Sequence, residues 1–175
     1  MCCNGVIFAD VKFREEDKAR RFQLRGLKVV ARKGAPPQQG SPPSSPAQGV
    51  STTFQLPQPC PAFDGTRCLV YAQRPDHCRR FECFLMKEVK AGRVSGAVAL
   101  RRIAAARAAA GRVEVLLEAL GNRQENRPLA VRFRQSLKWL ETGKAGSESL
   151  ALGSQLTLAM HRLNLLLNRW FYPGS

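Results

Sequence analysis

Six cysteines are the residues of this chain best suited to chemistry: Cys2, Cys3, Cys60, Cys68, Cys78 and Cys83. Two stand together at the start, and four fall in the Pro-rich stretch PQPCPAFDGTRCLVYAQRPDHCRRFEC at 57–83. Thiolates are soft ligands that suit zinc, and larger sets of them hold iron–sulfur clusters. The gaps after Cys60 are seven, nine and four residues. None is the two-residue gap of a zinc knuckle or ribbon, so spacing alone does not define a zinc finger. Free cysteines also pack as small hydrophobes, and disulfides are a further alternative where the compartment is oxidising. Consecutive side chains in an extended chain point opposite ways. Cys2 and Cys3 therefore serve two metals or a polynuclear cluster, or one binds while the other packs.

The neighbours of these cysteines favour a site. Pro59 and Pro61 restrict the backbone beside Cys60, and Asp64-Gly65 is a turn signal ahead of Cys68. Arg74-Pro75 precedes Cys78, and Arg79 and Arg80 follow it. Cations beside a thiol favour the thiolate, and guanidinium N–H groups can donate to ligating sulfur. Arg74, His77 and Arg79 are thus expected to support the ligands from outside, with His77 also a candidate ligand. His161 falls off the apolar stripe of the last helical segment and reads as surface or packing. Two histidines do not assemble a Ser-His-Asp or Cys-His-Asn arrangement, and no GxxxxGK[ST] or GxGxxG loop is present. The composition leans away from an enzyme.

The string CPAFDGTRCLVYAQRPDHCRRFEC resembles the YkgJ-type cysteine-cluster family of zinc- or iron-chelating domains. The matching positions are Cys60, then Cys68 with Val70 and Tyr71, then Arg74-Pro75, then Cys78, Arg79, Phe81 and Cys83. Cys2-Cys3 is similar to the end of the family's N-terminal CxxCxxCC element. The resemblance implies a metal-binding protein with all six cysteines as ligands and zinc or iron, an iron–sulfur centre included, as cofactor. It also implies two further cysteines ahead of Met1. An alternative implied by related flagellin lysine methylases is an iron–sulfur enzyme.

Other elements must hold these residues in place. Residues 5–13 and 27–33 read as strands around a short helix at 14–25, with Gly26 as its stop. Residues 34–49, GAPPQQGSPPSSPAQG, read as a disordered insertion before a strand at 50–56. The segment CLVY suggests one more short strand. Helices are expected at 84–91, at 95–120 with a kink at Gly111, from Asn126-Pro128 onward, and at 148–171. Leu129, Phe133, Leu137 and Leu140 make one apolar face; Leu152, Leu156, Met160, Leu163, Leu167 and Trp170 make another. The expected fold is α+β: a small loop-rich cysteine-cluster domain over 1–90 and a helical region over 91–175.

The chain carries a formal charge of +15. Residues 79–134 hold thirteen basic and five acidic side chains, and residues 1–33 nine and four. Such an excess suits an acidic protein or nucleic acid as partner, the latter through Arg101, Arg102, Arg107 and Arg112. It also offsets metal-bound thiolates. No apolar run is long enough for a transmembrane helix and no secretory signal is visible, so no membrane association and a cytoplasmic location are expected.

Overall fold

Val11 and Phe13 point inward from a four-residue strand, with Lys12 exposed between them. This alternation is what a strand with one buried face requires. The computed structural model describes residues 3–13, 16–33 and 52–172. Cys2 and the expected insertion at 34–49 lie outside the described residues.

The fold is α+β. Strands β1 (Asp10–Phe13), β2 (Val30–Lys33) and β3 (Thr52–Pro57) form an antiparallel sheet in the order β1-β3-β2. Asp10 pairs with Pro57 and Phe13 with Phe54; Val30 pairs with Gln55 on the other side of β3. Helix α1 (Glu16–Leu24) buries Ala19 and Phe22 at helical spacing against this sheet. It ends where Gly26 turns to φ +75° and the Leu27 amide donates back to Phe22. Phe13 meets Phe22 edge-on with ring centroids 5.8 Å apart.

Four further helices make a second layer: α3 (Phe84–Lys90), α4 (Gly96–Ala119), α5 (Leu129–Leu140) and α6 (Ser147–Trp170). Ser95 caps α4 by accepting from the Val98 amide. The apolar stripe of α6 buries Leu156, Met160, Leu163 and Leu167 against Val113, Leu116 and Leu117 of α4. Arg112 donates to Gln155 and Arg102 stacks over Trp170, so α4 and α6 run antiparallel. Helix α4 continues unbroken through Gly111, with every residue from Gly96 to Ala119 helical. No helix among the described residues is long and apolar enough to cross a membrane.

The sequence expectation and the structure part company in three places. The strand expected over 5–13 begins only at Asp10. Ahead of it, the carbonyls of Cys3 and Gly5 accept from Cys60 and from Leu129 at the start of α5, while the Ala9 carbonyl accepts from Gln58 in register with the end of the β1–β3 ladder. CLVY forms no strand. Cys68 makes one isolated bridge to Phe63, and the Tyr71 amide donates to Cys68, which closes a turn. An unanticipated short helix, α2 (Asp76–Arg80), carries Cys78. Leu85 belongs to the helical core and Cys83 packs against it.

Candidate metal centre

Three cysteines reach one pocket from three different pieces of local structure. Cys60 follows β3 through the cis peptide Gln58-Pro59. Cys68 closes the loop after it, and Cys78 sits in α2. Each is half-buried, and each packs against the core of the sheet module. The loop from Cys60 to Cys68 is shaped by Asp64, whose carboxylate accepts from the amides of Thr66 and Arg67 and from both their side chains. These bonds, led by that from the Arg67 amide, hold the Asp64 carboxyl down at about 2.

Cys3 completes the set. Its carbonyl accepts from the Cys60 amide at 2.7 Å, which brings the N-terminal segment against the loop. Gly5 makes this approach possible. It lies at φ +74°, and a Cβ there would stand 3.2 Å from Pro59 and 3.3 Å from Pro128. Leu129 donates to the Gly5 carbonyl and Tyr172 to that of Ile7, so the same segment is anchored on the helical side.

Cys3, Cys60, Cys68 and Cys78 line one pocket of about 460 Å³. Burial pushes the thiols of Cys3 and Cys60 above the ordinary cysteine range, and neighbouring thiols of the set add to it. Burial, then Cys3, Cys60 and Cys68, pushes Cys78 up to about 12, against the pull of Arg74. The four are therefore electrostatic neighbours, with Arg74 beside them. None of the five described cysteines is in a disulfide. No group of three or more His, Cys, Asp or Glu side chains among the described residues is drawn together closely enough to hold a metal ion. The donor chemistry fits a thiophilic metal; the sulfurs do not form a closed coordination shell.

The remaining expected site residues divide. Cys83 stands at the N-cap of α3 and packs on the helical core, apart from the other four. The extended Phe81 ends α2 and carries the chain away before Cys83 is reached. Arg74 neighbours Cys78, with its guanidinium carbon 3.7 Å from the Tyr71 ring centroid. Arg79 instead donates to the carbonyls of Ala72 and Arg74, so it braces the loop and offers those bonds to no sulfur. His77 lines the pocket and stacks on Phe81, while Phe8 meets Phe81 edge-on at 4.7 Å.

Two groups of polar residues have no counterpart in the sequence reading. Arg132 is buried on α5 and donates to the carbonyl and side chain of Asn122, which also donates to Ser136. Glu114, Glu118 and Glu125 line a second pocket of about 350 Å³ that Cys60 also borders. Burial holds the Glu114 carboxyl above its usual range, opposed by Arg132 and reinforced by Glu118 and Glu125. Asn122 and Arg132 lie ten residues apart, so only the packed turn between α4 and α5 brings them together.

No family model, curated protein or solved structure matches this chain.

Proposed function

We propose that the chain is a metal-binding protein and that Cys3, Cys60, Cys68 and Cys78 are its ligands. The observation that carries this reading is the gathering of four free thiols at one pocket wall, with Cys3 far from the others in sequence, where burial raises the pKa of Cys3, Cys60 and Cys78. Buried neutral thiols pack readily in apolar cores, but this set faces a cavity with Arg74 and His77 beside it. Bound zinc or iron would stabilise the thiolates. Arg74 would offset residual negative charge beside Cys78. The likeness of the Cys60–Cys83 stretch to zinc- and iron-chelating cysteine-cluster domains supports the same reading, with Cys83 set apart by its position on α3.

The test is direct. Reduced protein purified under anaerobic conditions should carry stoichiometric zinc or iron by elemental analysis, and Cys60→Ser with Cys68→Ser should lose it. A chain that remains free of metal after reconstitution with either ion contradicts the proposal.

A second reading rests on charge. Arg101, Arg107 and Arg112 are exposed on α4 and Arg162 and Arg169 on α6, with no acidic residue from Val94 to Val113 or after Glu148. A polyanion such as nucleic acid would be drawn to these basic helices. Binding that weakens steeply with salt and with Arg101→Glu/Arg112→Glu supports it; no binding at low salt removes it.

A further inference from the structure

Helices α4 and α6 each carry an exposed stripe that the core does not explain. On α4, Arg101, Ala105, Ala108, Arg112, Val115 and Ala119 follow one another at alternating gaps of four and three residues, and all are exposed. On α6, Ala151, Gln155, Leu158, Arg162, Leu165 and Arg169 repeat that spacing, again all exposed. Such spacing keeps residues on one side of a helix and is the seam by which helices pair. The core takes other faces of the same helices, through Ala110, Val113 and Leu117 on α4 and Leu156, Met160 and Leu163 on α6. Arg112 donates to Gln155 at 3.1 Å, so the two stripes meet side by side on one surface.

Exposed apolar residues scattered singly are ordinary. Here Leu158 is 71%, Leu165 56% and Val115 55% exposed, and the helical repeat brings them onto that one surface. Small side chains at a helix contact let a neighbouring backbone come close, and Ala105 and Ala108 supply them on α4. Charge selects the occupant. Arg101, Arg112, Arg162 and Arg169 interleave with the apolar positions, and neither stripe holds an acidic residue. A second copy of the chain would set arginines against arginines. Nucleic acid would use the arginines but leave Leu158 and Leu165 idle, and neither stripe offers an aromatic ring for bases to stack on. The stripes also lack the Trp and Phe that commonly seat basic helices in a bilayer.

We propose that the groove between α4 and α6 docks an acidic amphipathic helix of another protein, its apolar residues on Val115, Leu158 and Leu165 and its carboxylates on the four arginines. The inference rests on the same basic helices as the charge reading, and adds to it an apolar contact that a simple polyanion does not make.

Fluorescence anisotropy on the full chain tests it with labelled peptides of about 20 residues, which match the stripes in length at about 1.5 Å per residue. The first is an amphipathic helix with Leu at alternating gaps of three and four residues and Glu beside them. The second scrambles the same composition, and the third replaces Glu with Lys. The proposal predicts that the first binds, that the scrambled peptide binds about tenfold more weakly or worse, and that the Lys peptide does not bind. Leu158→Gln with Leu165→Gln should weaken the first by about tenfold or more, and so should Arg162→Glu with Arg169→Glu. These side chains are exposed, so unchanged helical circular dichroism and melting separate lost docking from a lost fold. Equal binding of the first and scrambled peptides, or binding indifferent to the leucine substitutions, overturns the proposal. Binding to phosphatidylserine vesicles without the peptide, or self-association that the leucine substitutions abolish, also overturns it. DNA binding by a chain that ignores the first peptide overturns this inference and leaves the charge reading standing; peptide binding by a chain that ignores DNA at low salt does the reverse.

Discussion

The two halves of this protein are built by different means. In the helical half, the apolar periodicities of α4 and α6 interlock, with Val113, Leu117, Leu156 and Leu163 almost wholly enclosed. Burial of that kind is enough to hold helices together. The sheet module has eight buried apolar residues among those described, against thirteen in the helical core. It completes its core with Cys60, Cys68 and Cys78, residues that also face a cavity. A module this small gains much from a bound metal, because binding free energy becomes folding free energy. The helical half should thus be indifferent to metal and the sheet module should depend on it.

That contrast can be strained from both sides. The largest effect is expected in the helical core. Leu117→Ala, at a fully enclosed site, should cost about 2–5 kcal/mol. Thermal unfolding followed by helical circular dichroism should register the same loss with and without a chelator. A loss that changes with chelator would mean that the two cores unfold as one.

Gly5→Ala comes next, at the strap between the halves. A side chain at φ +74° costs about 1–2 kcal/mol, and the approaches to Pro59 and Pro128 add crowding. Hydrogen exchange should speed at the amides of Cys60 and Leu129, which donate to Cys3 and Gly5, while the centre of α4 stays protected.

The smallest effect concerns the loop from Cys60 to Cys68. The Asp64 carboxyl titrates at about 2, below its ordinary 3.8. A depressed carboxyl contributes stability above its ordinary value and loses it as pH falls through the folded one. Between about pH 4 and pH 2, the Thr66 and Arg67 amides should lose protection, and Asp64→Ala should show that loss already at neutral pH. Unchanged exchange in Asp64→Ala would show that the loop is shaped by something else.

How far the sequence revealed this follows from the same contrast. Helix α6 was legible because burial on one face writes a repeat into the chain, as Leu156, Met160, Leu163 and Leu167 do, and α4 from its Ala-rich composition; α5 was legible as a helix, but its buried residues include Arg132 and Ser136 beside Leu129. The sheet was legible in outline, since β1 and β3 carry apolar and β-branched residues. The site was only partly legible. HCRRFEC reads as one motif, and nothing in its spacing shows that α2 stops at Arg80 and Cys83 opens another helix. The run Cys83, Leu85, Val89 does hint at an apolar helical face continuous with the second core. Gln58, buried at the same pocket, left no signal, because its burial comes from tertiary packing around the end of β3.

The most direct test of the account sets Cys78 against Cys83. Cobalt(II) is titrated into the reduced chain and into Cys78→Ser and Cys83→Ser, with sulfur-to-cobalt charge-transfer absorption as the readout. The account predicts saturable thiolate bands for the unaltered chain and for Cys83→Ser, and their loss or marked weakening in Cys78→Ser. Bands lost equally in both variants, or absent from all three, would contradict it.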